Sequence, residues 1–159
     1  NSDKRKPCHM QGHHIDAVTH CECIVGEDGV HLVEIGGRPG GGHLFAHVIE
    51  QASGLDAPVV LANLLLRRDI DTAPIKTGGA CYRFLSAPEG RFVRADGLES
   101  ARLMPGVSTI GLTIRPGETG GAVTHDNARH GWVVTGGKDR DEALACAKHA
   151  ITAIRIEMQ

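Results

Sequence analysis

The amino-acid sequence predicts an α+β fold, because strand-like and helix-like patterns occur in separate blocks along the chain. Residues 18–36 show the alternation of a β-hairpin, and two helix patterns follow before residue 70. From residue 78 onward, short β-prone runs separated by glycine and proline lead to a last helix pattern. We therefore expect a hairpin plus two helices, followed by a small antiparallel subdomain with a closing helix.

The composition is typical of a globular protein except for an excess of glycine. The chain has 159 residues, a net charge of −2 and 21 glycines, a share almost twice the usual value of about 7%. The small net charge argues against a generally basic nucleic-acid binder, and no apolar run approaches the roughly 20 residues of a membrane span. Five cysteines in no disulfide pattern indicate a reducing compartment. We expect a cytoplasmic protein that binds neither nucleic acid nor membranes.

The first block contains the hairpin and the two helices. Strands are predicted over 18–25 and 30–35, and a helix over about 43–52. Gly54 is placed to end this helix. Asp56 is the expected N-cap of the second helix, Pro58 lies in its first turn, and Arg67-Arg68 suits its C-terminus.

The second block contains four short strands and a helix. The strands are predicted over 80–85, 91–95, 107–114 and 132–135. Asp139 and Glu142 form a capping box at the start of the last helix, which extends to about Ile154. Helical spacing predicts that it buries Ala143, Ala147, Ala150, Ile151 and Ile154. The expected divisions are a flexible N-terminal segment 1–17, a unit 18–76 and a subdomain 77–159.

Two glutamates in the hairpin are candidate metal ligands. A three-residue loop 27–29 would pair Gly26 with Val30 and therefore place Glu22 directly opposite Glu34. Like charges in this position destabilise a hairpin unless something compensates, and a hard cation such as Mg²⁺ would do so. The same alternation predicts an opposite, apolar face that belongs to the core, made of Cys21, Cys23, Val25, Val33 and Ile35. Solvated carboxylates on an open sheet are the alternative.

The segment after the second glutamate favours a ligand site over that alternative. Arg38 follows Glu34 by four residues, and Gly40, Gly41 and Gly42 lead into the predicted helix at His43. A guanidinium, free backbone N–H groups and a helix N-terminus together favour anion binding. A metal site beside an anion site is typical of centres that handle phosphoryl groups or acyl phosphates.

The hairpin and the glycine loop resemble the C-terminal metal-binding core of ATP-grasp carboxylate–amine ligases. The shared motifs are Thr19-His20-Cys21-Glu22, then Glu34-Ile35-Gly36-Gly37-Arg38 with the second glutamate twelve residues after the first, then Pro39-Gly40-Gly41-Gly42. The tail is similar to the C-terminal subdomain of these ligases in its Gly90-Arg91-Phe92-Val93, Met104-Pro105-Gly106-Val107 and Gly131–Gly136 motifs and its closing helix. The resemblance spans roughly residues 17–156. Many members have Asn where this chain has Gly36; some L-amino acid ligases also lack it, which places the chain nearer to them.

The resemblance implies a role for each motif residue. Glu22 and Glu34 would hold Mg²⁺, or Mn²⁺, between the phosphates of ATP, with water completing the ligand shell at Gly36. Arg38 would be catalytic and would contact the transferring phosphate together with the glycine loop and His43. The implied reaction converts a carboxylate to an acyl phosphate, which an amine then attacks to form an amide or dipeptide. The implied partners are ATP and small carboxylate and amine substrates.

The family also has an N-terminal ATP-binding lobe, which is not recognisable in the roughly eighteen residues before the hairpin. We therefore expect the isolated chain to bind nucleotide poorly and to be inactive, as a fragment of a ligase or one half of a split enzyme that needs a separate N-terminal portion. The alternative is a stand-alone, non-catalytic binding domain derived from a ligase. Ligases of this kind are often homodimers, so a homodimer is one option for the assembly.

Other polar residues receive structural interpretations. The histidines at 13, 14 and 20 are expected as a surface cluster or a strand entry, because no second ligand pair has the spacing of a zinc site. His125-Asp126 and His130 are expected in turns rather than in an acid–base pair. Met104 and Trp132 are expected in the core.

Overall fold

A computed structural model describes residues 17–159. Residues 1–16 lie outside the described part, and with them nearly all of the expected N-terminal segment and the histidines at 13 and 14. None of the helices between residues 17 and 159 is long and apolar enough to cross a membrane.

The chain is mixed α and β, with three small antiparallel sheets. The strands are β1 (His20–Gly26), β2 (Gly29–Gly36), β3 (Gly79–Leu85), β4 (Gly90–Asp96), β5 (Val107–Leu112), β6 (Thr119–Gly120), β7 (Gly131–Gly137) and β8 (Arg155–Met158). The α-helices are α1 (Ile49–Ser53), α2 (Ala57–Leu65), α3 (Leu98–Arg102) and α4 (Arg140–Thr152), with a π-helix at Leu44–Val48 and a 3₁₀-helix at Asp126–Ala128. The sheets have the orders β1-β2, β3-β7-β5 and β6-β4-β8. The predicted fold class is confirmed.

The first hairpin has the predicted glutamate pair but a different loop. Gly26 pairs with Gly29 rather than with Val30, so the loop has two residues and not the predicted three. A regular ladder from this loop would place Glu22 opposite Val33. A β-bulge leaves Val33 without a partner, and Glu22 pairs with Glu34 as expected.

The apolar face of this hairpin does not enter a core among residues 17–159, contrary to the sequence-based expectation. Val25 is 78% exposed, Val33 58% and Ile35 60%. The two-residue loop also pairs Leu32 with Cys23, so Leu32 lies on the same face as Cys23, a member of the predicted apolar face. The period of 2 identified the strands but could not reveal whether another element covers them.

The helices after the hairpin begin and end close to their predicted positions. The predicted first helix is a π-helix continued by α1, and Gly54 ends it in the left-handed conformation at φ 78°. Asp56 caps α2 by accepting a 3.0 Å hydrogen bond from the Val59 N–H, with Pro58 in the first turn. Both predicted caps are confirmed.

The core lies between the sheet β3-β7-β5 and helices α3 and α4. Strand β7 is central, and its Val133, Val134 and Thr135 are fully buried. Helix α4 packs against β3 and β7 through three alanines with no exposed surface, Ala143, Ala147 and Ala150, as the spacing predicted. The expected Ile151 and Ile154 are partly buried beside them.

Three short elements, β6, β8 and α3, were not predicted from the sequence. Strand β8 follows α4 and pairs with β4, and the two-residue strand β6 pairs with the other edge of β4. The short helix α3 packs on β5. These elements are too short for a periodic signal, so tertiary pairing determines them.

The N-cap of α4 offers a test of the packed subdomain. The Asp139 carboxylate accepts a 2.9 Å hydrogen bond from the Glu142 N–H. We expect Asp139→Ala to lower the free energy of unfolding by about 1 kcal/mol and Tm by roughly 2–4 °C. Asp141→Ala is the control, because Asp141 lies exposed in the same turn and caps nothing. Equal Tm values for the two variants would contradict this assignment of the cap.

Candidate functional site

The end of the β1–β2 hairpin carries the candidate metal ligands. Glu22 and Glu34 are direct cross-strand partners, so their side chains leave the same face of the hairpin. Both carboxylates are 55% exposed. His20 Nε2 lies 3.1 Å from Glu22 Oε1, and Arg38 Nη2 lies 3.6 Å from Glu34 Oε1. Each carboxylate therefore has one nearby nitrogen group and keeps an oxygen free for a further ligand.

The donor chemistry of this pair fits magnesium better than zinc. Among residues 17–159 no cluster of three or more His, Cys, Asp or Glu side chains could hold a metal ion. Structural zinc sites need four such ligands, whereas Mg²⁺ is bound by one or two carboxylates together with waters and substrate phosphates. Two opposed carboxylates without a third protein ligand match the second description.

The glycine loop lies between the hairpin and the C-terminal sheet. A Cβ atom at Gly40 would lie 3.0 Å from His20 Nδ1. Gly42 has φ 60°, and a Cβ there would lie 2.8 Å from the Tyr82 hydroxyl. A Cβ at Gly41 would meet open space. The close approach of His20 therefore favours glycine at position 40, and the close approach of Tyr82 and the positive φ favour it at position 42. The glycine excess indicated such requirements but could not identify the neighbouring side chains.

His43 joins the loop to the C-terminal sheet. Its ring stacks on Trp132, with centroids 4.5 Å apart and planes 24° apart, and meets the edge of Tyr82 at 5.7 Å. Burial, and then the nearby His47, lower the pKa of His43 from its usual value of 6.5. His43 is therefore neutral near pH 7.

A cavity of about 570 Å³ lies between these parts. Its lining contains His20, Glu22, Arg38, Gly41, Gly42, Leu44, Tyr82, Phe84, Thr113, Asp126, Arg129, Gly131 and Trp132. This volume is within the range of small-molecule sites, roughly 300–1,000 Å³. The structure thus brings Glu22, Arg38 and two of the loop glycines to one cavity.

The opposite wall contains residues that the sequence analysis did not identify as site residues. Arg129 places its guanidinium carbon 3.5 Å from the centre of the Phe84 ring and forms a 2.7 Å ion pair with Asp126. Trp132, expected in the core, is half-buried and lines the cavity. Asp126 and Arg129 are only three residues apart, but no local spacing links them to Phe84 on β3. A sequence pattern could not have brought them together.

His130 is more than a turn residue. It is buried, and its Nδ1 accepts a 3.0 Å hydrogen bond from the Ala87 N–H, which ties the start of β7 to the loop after β3. His125 is exposed beside the 3₁₀-helix, in agreement with its expected place in a turn.

The pKa of His43 provides a test of the stacked arrangement. His47→Gln removes one of the two causes that lower this pKa, so we expect the pKa to rise while remaining below 6.5. His43 is half-buried and its pKa is lower in the folded chain, so its protonation opposes folding. The stability that neutral His43 permits is therefore lost as pH falls from 6.5 through the folded-state pKa. NMR titration of the imidazole Cε1–H measures it.

His149→Gln is the matched control, because His149 is exposed on α4 and is not among the groups that shift His43. A His43 pKa that does not change in His47→Gln, or that changes equally in the control, would contradict the assigned causes.

One protein-family model matches the C-terminal part of the chain. Residues 83–159 match the model described as L-amino acid ligase C-terminal domain 2. No curated protein matches the chain at a significant level.

Solved structures match nearly the whole described chain. An L-amino acid ligase from Bacillus licheniformis has a TM-score of 0.70 and 20% identity, covering 89% of this chain and 36% of the ligase. Phosphoribosylglycinamide synthetase from Anaerococcus prevotii has a TM-score of 0.76 and 13% identity, covering 91% of this chain and 37% of that one. The biotin carboxylase domain of Hydrogenobacter thermophilus 2-oxoglutarate carboxylase, a dimer in complex with MgADP, ADP and bicarbonate, has a TM-score of 0.64 and 14% identity, covering 89% and 32%.

These identities establish a shared fold, and the chain spans about a third of the length of each of these proteins. The fold and the family-model match confirm the resemblance noted in the sequence: the described chain has the architecture of the C-terminal part of ATP-grasp ligases, and its residues 83–159 match the L-amino acid ligase C-terminal domain 2.

Proposed function

We propose that this chain is the C-terminal, metal-binding portion of an ATP- and Mg²⁺-dependent carboxylate–amine ligase that acts through an acyl phosphate. The observation that carries the proposal is the direct pairing of Glu22 with Glu34, with Arg38 3.6 Å from Glu34. Glu22 and Arg38 line the cavity, and Glu34 does not. A purely structural hairpin gains nothing from two carboxylates in this position. The bulge at Val33 is what brings Glu34 opposite Glu22.

In this proposal Glu22 and Glu34 hold Mg²⁺. When bound, the ion offsets the negative charge of the ATP phosphates. The hydrogen bond between His20 and Glu22 orients the Glu22 carboxylate, and the ion pair with Arg38 restrains the Glu34 carboxylate. These contacts would reduce the conformational entropy that the two glutamates lose on binding a cation.

Arg38 and the glycine loop bind the anionic groups. The Arg38 guanidinium also donates a 3.1 Å hydrogen bond to the Pro39 carbonyl, which holds it near the loop. Its remaining N–H groups, together with backbone N–H groups of Gly40–Gly42, would stabilise the phosphoryl group as it is transferred. His43, neutral and stacked on Trp132, would contribute a hydrogen bond at most.

The proposed reaction has two steps. A carboxylate oxygen first takes the terminal phosphoryl group of ATP, which releases ADP and leaves an acyl phosphate. The nitrogen of an amine then bonds to the carbonyl carbon, the bond from that carbon to the phosphate oxygen breaks, and the nitrogen loses a proton. The products are an amide, ADP and phosphate. The cavity beside Glu22 and Arg38 would hold the two organic substrates.

The rest of such an enzyme would bind the nucleotide. Because the matched proteins are about three times longer, we propose that an N-terminal lobe, in the same polypeptide or on a separate one, supplies the remaining ATP contacts. In this arrangement residues 18–76 complete the ATP-grasp domain and residues 77–159 form a C-terminal subdomain. A homodimer is one option for the assembly.

The metal site is testable on the chain itself with Mn²⁺ as the probe. We expect NMR line broadening centred on β1 and β2, and a loss of at least about tenfold in Mn²⁺ affinity in Glu22→Gln and in Glu34→Gln, because either change removes one of two ligands. Glu27→Gln is the control, since Glu27 lies exposed in the loop of the same hairpin and carries the same charge.

Broadening centred elsewhere, or the same loss of affinity in Glu27→Gln, would contradict a metal site at Glu22 and Glu34. If neither the wild-type chain nor the folded variants bind Mn²⁺, the result would instead favour a non-catalytic binding domain.

The anion site has a separate test with inorganic phosphate. In the presence of Mn²⁺, ³¹P relaxation reports phosphate held close to the metal. We expect Arg38→Ala to weaken phosphate binding by roughly tenfold or more, the effect of losing a charge-assisted hydrogen bond, while Mn²⁺ affinity changes little. Arg68→Ala is the matched control, because Arg68 lies exposed beyond the end of α2. Equal effects of the two variants would remove Arg38 from the anion site.

A further inference from the structure

Two histidines lie one helical turn apart beside the glycine loop. His43 is the residue before the π-helix, and the His47 N–H donates a 3.0 Å hydrogen bond to the His43 carbonyl. Side chains four residues apart on a helix lie on the same face. The two imidazole rings accordingly approach each other, with centroids 5.3 Å apart and planes 37° apart. The proposed phosphate chemistry gives His47 no role, so this pair needs an explanation of its own.

The spacing of the two rings fits a shared metal ion. Two imidazoles on one tetrahedral ion, with each nitrogen about 2.0–2.1 Å from the metal, have ring centres about 5 Å apart. The observed separation is 5.3 Å. Histidines at positions i and i+4 of a helix are also the arrangement by which helical zinc motifs present two ligands on one face. An ion could therefore bind to both rings with little movement of the helix.

The two rings are free to accept a ligand. His20, His31 and His130 each have a polar partner in the described chain. Among the side-chain hydrogen bonds and ion pairs within residues 17–159, none involves the imidazole of His43 or of His47. His43 is neutral near pH 7, and neutral imidazole is the form that binds metals.

His43 is already held in place by aromatic contacts. Its ring stacks on Trp132 and meets the edge of Tyr82. These contacts reduce the side-chain entropy that His43 loses on binding an ion. An imidazole that binds a metal through one nitrogen keeps an N–H on the other. His43 can therefore bind an ion and still offer a hydrogen bond to an anion at the glycine loop.

The ligand chemistry of this pair differs from that of the two glutamates. Imidazole nitrogen suits Zn²⁺, Ni²⁺ and Cu²⁺, whereas Mg²⁺ prefers oxygen ligands. Two protein ligands leave the other positions of the ion to water, which describes an open site with an exchangeable metal and not a structural zinc site.

We propose that His43 and His47 form a second metal site, which takes a divalent transition-metal ion such as Zn²⁺ or Ni²⁺ and is separate from Glu22 and Glu34. The inference does not rest on the proposed ligase function. A bound ion would join the side chain of His43 to the helix that follows it. It would thereby restrain the end of the glycine loop, because His43 directly follows Gly42.

The test uses the full chain and Ni²⁺, which prefers nitrogen ligands and whose unpaired electrons quench fluorescence and broaden NMR signals. Trp132 is the chain's one tryptophan and stacks on His43, so its fluorescence reports an ion bound there. We expect saturable quenching, and amide broadening centred on the π-helix at Leu44–Val48. Excess Mg²⁺ should change neither result, because it does not compete for imidazole.

Variants then assign the ligands. His47→Gln removes one imidazole and keeps the stack of His43 on Trp132, and we expect it to lower Ni²⁺ affinity by at least about tenfold, which is about 1.4 kcal/mol. His149→Gln is the matched control, because His149 is exposed on α4 and the residues four positions away are Ala145 and Ala153. Amide NMR spectra check that each variant is folded.

Two further variants separate this site from the hairpin. Glu22→Gln should leave Ni²⁺ affinity unchanged although it weakens Mn²⁺ binding. The double variant Cys21→Ser with Cys23→Ser should also leave it unchanged, which excludes the exposed thiols of β1 as the ligands.

The inference would be overturned by the absence of saturable quenching, by equal Ni²⁺ affinities in His47→Gln and His149→Gln, or by a loss of affinity in either hairpin variant. Broadening centred on β1 and β2 would overturn it as well. The broadening map needs no variant, so it decides the question even if a variant does not fold. Ni²⁺ binding at the histidines without Mn²⁺ binding at the glutamates would leave this site and contradict the proposed magnesium site, and the reverse result would do the opposite.

Discussion

The burial of β7 is the constraint on which the rest of the C-terminal structure depends. Its two edges pair with β3 and β5, and its Val133 and Val134 have no exposed surface. The three alanines of α4 allow the helix to approach this strand closely, because they add no side-chain bulk beyond Cβ. Trp132 on the same strand therefore projects from a rigid support, and with it the cavity wall that it forms.

The candidate site joins two parts of very different character. One wall comes from the packed sheet, through Tyr82 on β3 and Trp132 on β7. The other comes from the exposed hairpin that carries the two glutamates. His43 links them through its stack on Trp132, so the glycine loop is positioned by an aromatic contact and not by its own sequence. This division suits a centre in which one wall holds a substrate and the other adapts to phosphates and a metal.

The sequence predicted what local chemistry determines. The N-cap of α2, the capping box of α4 and the opposed pair of glutamates follow from residues close together in the chain. The loop length was wrong, and the pairing was still right because a bulge compensated for it. The stack of Arg129 on Phe84 joins residues forty-five positions apart, and no periodicity encodes such a contact. For the same reason the exposure of the hairpin's apolar face could not be predicted.

The two-stranded hairpin has an energetic consequence for the site it carries. An isolated hairpin is marginally stable, and β1–β2 exposes its apolar side chains where the central sheet buries them. Its amides should therefore exchange with solvent through local opening far more readily than those of β7. A ligand that bridges the two strands at Glu22 and Glu34 would stabilise the closed hairpin by an amount that grows with the ratio of its concentration to its Kd. Ligand binding at the two glutamates and closure of the hairpin would thus be coupled equilibria.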